Sequence, residues 1–156
     1  MITTLINKIR TAVRGIDVRN SIADAFEYIY CLNGCCKRDT EMVGVAQGNT
    51  VTLNFADTSA LNSNDKLFKF NDDSIVLMPG FYAIELTGTV TSPISAAMAR
   101  ICVDDEIVHS VTTSSTSFNG KTVIHIPSEG VLMLKLYAPM ANFTASLNVF
   151  IQKVGE

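Results

Sequence analysis

Six side chains of this chain could bind a metal or serve as nucleophile and base: Cys31, Cys35, Cys36, Cys102, His109 and His125. A zinc site needs four spaced ligands. Cys31, Cys35 and Cys36 offer three within six residues, but the fourth would have to come from Cys102 or a histidine far along the chain, a spacing that matches no common zinc pattern. Small apolar packing at a helix end is the simpler expectation for them. Cysteine or serine catalysis needs a histidine base and an orienting acid. His109 precedes a Ser/Thr run and His125 sits in Val123-Ile-His-Ile-Pro127, where an imidazole facing solvent or bonded within a sheet is expected. Asp72-Asp73 and Asp104-Asp105-Glu106 could do acid–base work on a sugar or hold calcium. Carboxylates adjacent in sequence do not flank a substrate, however, and they suit solvated turns. The chain lacks the glycine patterns of dinucleotide and phosphate sites, and it has no tryptophan for a sugar platform. No catalytic residue, metal or cofactor is therefore expected. Phe118-Asn119 and Asn142-Phe143 read as loop residues able to contact a ligand, while Tyr82 and Tyr137 alternate with core positions. The run Thr112-Thr-Ser-Ser-Thr-Ser117 reads as an exposed loop or edge, dense enough in hydroxyls to suit a saccharide.

The elements that must position these residues fall into two regions. Ile2, Leu5, Ile6, Ile9 and Val13 recur at helical spacing, and Gly15 stops the pattern. Asp17 suits an N-cap for a second helix with its stripe at Val18, Ile22, Phe26, Ile29 and Leu32, ended by Asn33-Gly34. Helices this short do not stand alone in water, so the stripes must be covered by the later region or by further copies of themselves. The composition then turns to Thr, Ser, Val, Asn and Gly, and apolar residues alternate with a period of two. Strands are expected over 51–55, 66–70, 74–77, 80–91, 97–103, 106–110, 121–126, 131–137 and 145–154. Turns are expected at Pro79-Gly80, Asp104-Asp105, Asn119-Gly120 and Glu129-Gly130. The organisation is a helical anchor or stalk over 1–38 and a β-module over 45–156. Its fold class is mainly β, an antiparallel sandwich or jelly roll preceded by N-terminal helices.

Composition sets outer bounds. At 47% hydrophobic and 17% charged residues the chain is too apolar for disorder, and its length suits one main core. No apolar run reaches the roughly 18–20 residues of a membrane helix, and the first residues lack a signal layout, so a soluble chain with reduced thiols is expected, with no membrane insertion. Residues 1–38 carry six Lys/Arg against three Asp/Glu, and residues 39–156 carry six against twelve. That acidic majority argues against nucleic acid as a partner.

The segment from Ile9 to Glu27 resembles the opening of many tail, baseplate and other structural proteins from phages of Gram-positive bacteria. The residues that carry it are Ile9, Arg14, Gly15, Asp17, Val18, Arg19, Ile22 and Ala23. In that group a short helix, a glycine and an Asp-Val-Arg helix start precede a β-rich module. A second set is similar to complement and tumour-necrosis-factor-like jelly rolls: Gly80-Phe-Tyr82, Arg100 to Ile107, Ile126 to Leu136 and the closing stretch Ala145 to Lys153. Those modules are trimers. Together the resemblances imply a homotrimeric, non-enzymatic virion protein of the tail, baseplate or fibre, assembled in the host cytoplasm. The trimer and anchor contacts would come from Ile2, Leu5, Ile9, Val13, Val18, Ile22, Phe26 and Ile29, with other virion proteins docked on the helices. The β-module would face a host cell-surface saccharide. A head fibre or decoration protein without a receptor, and a polysaccharide-degrading fibre enzyme, are the alternatives.

Overall fold

The computed structural model describes residues 34–62, 64–91, 96–113 and 115–156, together with residues 4, 6 and 22–25. Alternating apolar residues and short polar connections produce twelve strands among them: β1 (Cys35–Thr40), β2 (Val43–Val45), β3 (Thr50–Thr52), β4 (Phe55–Asn62), β5 (Phe68–Phe70), β6 (Ser74–Leu77), β7 (Gly80–Thr91), β8 (Ala97–Val103), β9 (Glu106–Thr113), β10 (Ser117–Ile126), β11 (Gly130–Tyr137) and β12 (Phe143–Gly155). Every pairing is antiparallel. The first sheet runs β10-β7-β12-β1-β4, with β2 also on β12; the second runs β5-β6-β11-β8-β9, with β3 also on β11. The expected jelly-roll sandwich is what these strands build.

The core lies between the sheets. Tyr82, Ile84, Leu86 and Val90 of β7 and Leu147, Val149 and Ile151 of β12 face Leu132, Leu134 and Leu136 of β11 and Ala97, Ala99 and Ile101 of β8, all buried. Each large aliphatic side chain so placed stabilises the fold by roughly 1.5–3 kcal/mol relative to exposure. The Tyr82 hydroxyl donates to the Met78 carbonyl at 2.7 Å, and its ring meets Phe68 edge-on at 6.0 Å, so its polar atom is satisfied. Lys153 is also buried, its ammonium 3.0 Å from Glu156 Oε1. Gly80 makes room for it: its φ of +144° suits only glycine, and a Cβ there would run into the Lys153 side chain.

Several expectations need correcting. Strand β1 begins at Cys35, so residues 35–38, expected in a 1–38 anchor, belong to the sandwich instead. Cys35 and Cys36 are thus strand residues, with Cys36 buried opposite Ile151; Cys-Cys-Lys-Arg carries no β-branched residue to betray the alternation. Strands β1 and β2 lie along the same side of β12, separated by Glu41 and Met42. At the break the Thr40 hydroxyl accepts the Leu147 amide at 2.8 Å in place of a backbone carbonyl. Asn119-Gly120 is not a turn but lies within β10, opposite Thr87 and Leu86. Here β9 and β10 close one side of the sandwich, and a Cβ on Gly120 would collide with Val111. Asp104-Asp105 does form the expected hairpin, with positive φ of 50° and 68° at its two central residues.

Residues 4, 6 and 22–25 are helical; Ile6 and Ala23 are buried and Ile22 is exposed. The other anchor positions, Ile2, Leu5, Ile9, Val13, Val18, Phe26 and Ile29, lie outside the described residues. Strand directions place Gly34 at the same end of the sandwich as the connections 78–79, 104–105 and 127–129 and as Gly155. We call this end proximal. The distal end carries the connections 46–49, 115–116 and 138–142.

Candidate interaction face

The cysteines and acids that could have made an active site are placed otherwise. Burial, reinforced by Cys35 beside it, pushes the Cys36 thiol up to about 12, far from a thiolate at neutral pH. Burial likewise raises Cys102. Cys31 lies outside the described residues. Cys35, Cys36 and Cys102 are unbridged, and among the described residues no three His, Cys, Asp or Glu side chains converge as metal ligands. His109 is half-buried on β9, and His125 is exposed on β10, its ring stacked on Phe81 at 4.4 Å. Asp104 shapes its own turn: its carboxylate accepts the Val131 amide at 2.9 Å, and its amide donates to the Val131 carbonyl. Asp72 and Asp73 are exposed in the bend between β5 and β6.

The four expected ligand-contact residues separate into two kinds. Phe118 and Phe143 lie in strands, not loops, and at 2% and 3% exposure they point into the core, where a ligand does not reach them. Each stands next to an asparagine, Asn119 or Asn142, which made a strand start look like a loop. Asn119 is exposed on β10. Asn142 is exposed on the distal connection, where its side-chain oxygen accepts the Gln47 amide at 2.8 Å.

The most distinctive surface is the outer face of the first sheet. In an ordinary half-buried strand the outward positions are polar. On β7, β10 and β12 the proximal outward positions instead include Phe81, Ala83, Val123, Phe150 and Val154, interleaved with Glu85, Lys121, His125 and Gln152. Of these, Phe81, Val123, Phe150 and Val154 are exposed at between 36% and 63%. In register, Val123 pairs with Ala83, whereas His125 pairs with Phe81 and Phe150 with Glu85. Lys121 reaches Glu85 at 3.1 Å, both groups being largely exposed. Between them lies a shallow depression of about 400 Å³ lined by Ala83, Glu85, Lys121, Val123, Phe150 and Gln152 among others.

Farther along the same strands the chemistry changes. Asn119, Thr87 and Asn148 form one outward row, Ser117, Thr89 and Ser146 the next, and Thr91 and Thr144 the last. The Thr89 and Ser146 hydroxyls lie 3.3 Å apart, and the Thr91 hydroxyl donates to the Thr144 carbonyl at 3.2 Å. The face therefore carries exposed apolar side chains among charged and polar ones at its proximal half and is hydroxyl-rich at its distal half. Motif reading missed the apolar half, although a signal was present: Phe81-Tyr82-Ala83-Ile84 and Val149-Phe150-Ile151 are continuous apolar runs, which in a strand means both faces are apolar.

No protein-family model and no curated protein sequence matches the chain. Similarity appears in three dimensions. Murine APRIL at pH 8.0 aligns with a TM-score of 0.61 and 10% identity over 77% of this chain and 98% of that one. The PRD1 vertex protein P5 aligns with a TM-score of 0.58 and 16% identity over 79% and 98% of the two chains. The globular domain of zebrafish complement 1qA protein aligns at 0.50 and 16% identity over 74% and 94%. The β-module thus has the jelly-roll fold of the tumour-necrosis-factor and complement type.

Proposed function

We propose that this chain is a non-enzymatic structural protein of a phage virion, a homotrimer that joins its copies through the outer face of the β7–β10–β12 sheet. The observation that carries self-association is the proximal half of that face, where Phe81, Val123, Phe150 and Val154 stand exposed on three neighbouring strands. Exposed apolar side chains gathered in one patch mark contact surfaces. The chain enters the sandwich at the same end, from the segment whose sequence is similar to phage tail and baseplate proteins. In the proposed particle the first 33 residues dock on other virion proteins and the β-module meets a host cell-surface saccharide.

The mass of the full-length protein by light scattering tests the assembly. A value near three times 16.9 kDa is expected, and a clean monomer overturns it. Location in the particle is tested by labelling purified virions with an antibody against the β-module. Labelling of the tail or baseplate is expected. The likeness to a vertex protein favours a second reading, a head decoration or fibre protein, for which the label would sit on capsid vertices. Virions that bind no antibody anywhere overturn both.

A further inference from the structure

The outer face of the second sheet, on the opposite side of the sandwich, carries a different cluster. Lys135 of β11 and Arg100 of β8 stand directly opposite each other in register. Like charges in that relation repel, so something must offset them. Lys135 is partly relieved: its ammonium lies 2.9 Å from Asp105 Oδ1 in the β8–β9 turn. Arg100 has no carboxylate partner among the described residues. Its guanidinium instead lies over the Tyr137 ring, 4.3 Å from the centroid. Stacking occupies the face of a guanidinium and leaves its in-plane N–H donors free, the arrangement that grips a carboxylate with two parallel hydrogen bonds.

The surroundings narrow the ligand further. Thr52 pairs with Lys135 and Ser110 with Arg100, so the row reads hydroxyl, ammonium, guanidinium, hydroxyl, and both flanking residues are exposed. A tyrosine ring edge and two hydroxyls beside a cation pair suit a polyhydroxylated ring that bears one negative charge. A polyanion is disfavoured, because residues 39–156 carry twelve acids against six Lys/Arg. With Asp105 counted, the cluster itself has a single net positive charge.

We propose that Arg100, Tyr137 and Lys135 form a binding site for the carboxylate of an acidic sugar. The inference deepens the saccharide part of the function proposed above and rests on it for the ligand class. It does not depend on self-association, since the first sheet's outer face is not involved.

The test titrates the full-length protein with glucuronate, glucose and inorganic phosphate while following the Arg100 side-chain Nε–H and the Thr52 and Ser110 amides by NMR. Saturable shifts with millimolar glucuronate are expected, with glucose at least tenfold weaker and phosphate several-fold weaker. Arg100→Gln is expected to weaken glucuronate at least tenfold. Arg100→Lys, which keeps the charge but not the fork, should weaken it by a smaller factor of several-fold. No saturable shift with glucuronate overturns the proposal, as does an Arg100→Gln protein that binds it as well as the parent. Phosphate binding as tightly as glucuronate overturns the sugar assignment. Light scattering reads self-association separately, so a trimer that ignores glucuronate sinks this inference and leaves the assembly standing.

Discussion

The two halves of the β7–β10–β12 outer face share strands, register and exposure, and differ only in which side chains point outward. Near residue 34 Phe81, Val123, Phe150 and Val154 stand among Glu85, Lys121, His125 and Gln152; toward the distal end the side chains are Thr87, Thr89, Thr144, Ser146 and Asn148. Backbone geometry is therefore not what distinguishes a contact surface from a wetted one. A hydroxyl in a strand is satisfied by its neighbours and by water, as Thr89 and Ser146 are by each other. A phenyl ring or an isopropyl group has no such recourse, and only another apolar surface relieves it. The proposed self-association rests on this contrast, with the distal half left to solvent or to a polar ligand.

Three changes test that contrast, and the largest effect is expected from the apolar half. Replacing Val123 and Phe150 together by Asp should convert the assembly to monomers, with self-association weakened about a thousandfold, since each buried side chain contributes roughly 1.5–3 kcal/mol and a buried unpaired carboxylate costs more. Dilution-dependent light scattering checks it, and circular dichroism should show the fold retained because both residues face outward. An assembly that survives the double change would mean that the copies meet elsewhere.

The second test concerns the layer beneath. Cys36 lies in the core opposite Ile151, next to Phe150 on the apolar half. Its thiol is held neutral by burial up to about 12, against an ordinary 9.0. The unfolded chain ionises that thiol from pH 9 upward, and the folded chain does not. Stability from this group is thus complete below pH 9 and is lost between pH 9 and 12, by about 3–4 kcal/mol in all. Denaturant unfolding of the parent and of Cys36→Ser at pH 8 and pH 11 measures it: the parent should fall by more than the variant, whose hydroxyl does not titrate. Equal slopes would show that the core beside the apolar half admits water.

The smallest effect belongs to the distal half. Thr89→Ala with Ser146→Ala removes a cross-strand hydroxyl pair on an exposed surface, and such pairs contribute only about 0.2–1 kcal/mol. Unfolding should shift by less than about 1 kcal/mol, with self-association unchanged. Dissociation of the assembly by this change would erase the distinction between the two halves.

How far the molecule could be read from its sequence follows the same physics. Strands 74–77, 80–91 and 97–103 emerge with their bounds intact because Pro79-Gly80 and the Asp104-Asp105 turn interrupt clean alternation. Strands β1 and β2 were missed, since Cys-Cys-Lys-Arg and Val-Gly-Val carry little alternation and owe their conformation to β12, which lies about a hundred residues later. Asn119-Gly120 misled because a glycine required by a neighbouring strand, here by Val111, looks in sequence like a glycine required by a turn. Phe118 and Phe143 misled for a related reason: burial depends on what lies opposite, not on the adjacent asparagine. The apolar half of the face was written in the sequence but had meaning only once register put Val123, Ala83 and Phe81 side by side. The Arg100–Lys135 pairing was invisible, being a relation between residues far apart along the chain.

The central position of β12 has a consequence for how the protein is made. β12 is the last strand, yet it fills the place between β1 and β7 and also carries β2. While the ribosome is still translating, the edges of β1, β2 and β7 have no β12 to pair with, and the first sheet stays split until residues 143–155 emerge. Closure across such sequence separations is slow and leaves sticky strand edges exposed in the meantime. The nascent chain therefore waits for residues 143–155 before the first sheet can close. A premature stop before residue 143 would release a polypeptide fit only for aggregation or proteolysis, not a smaller working module.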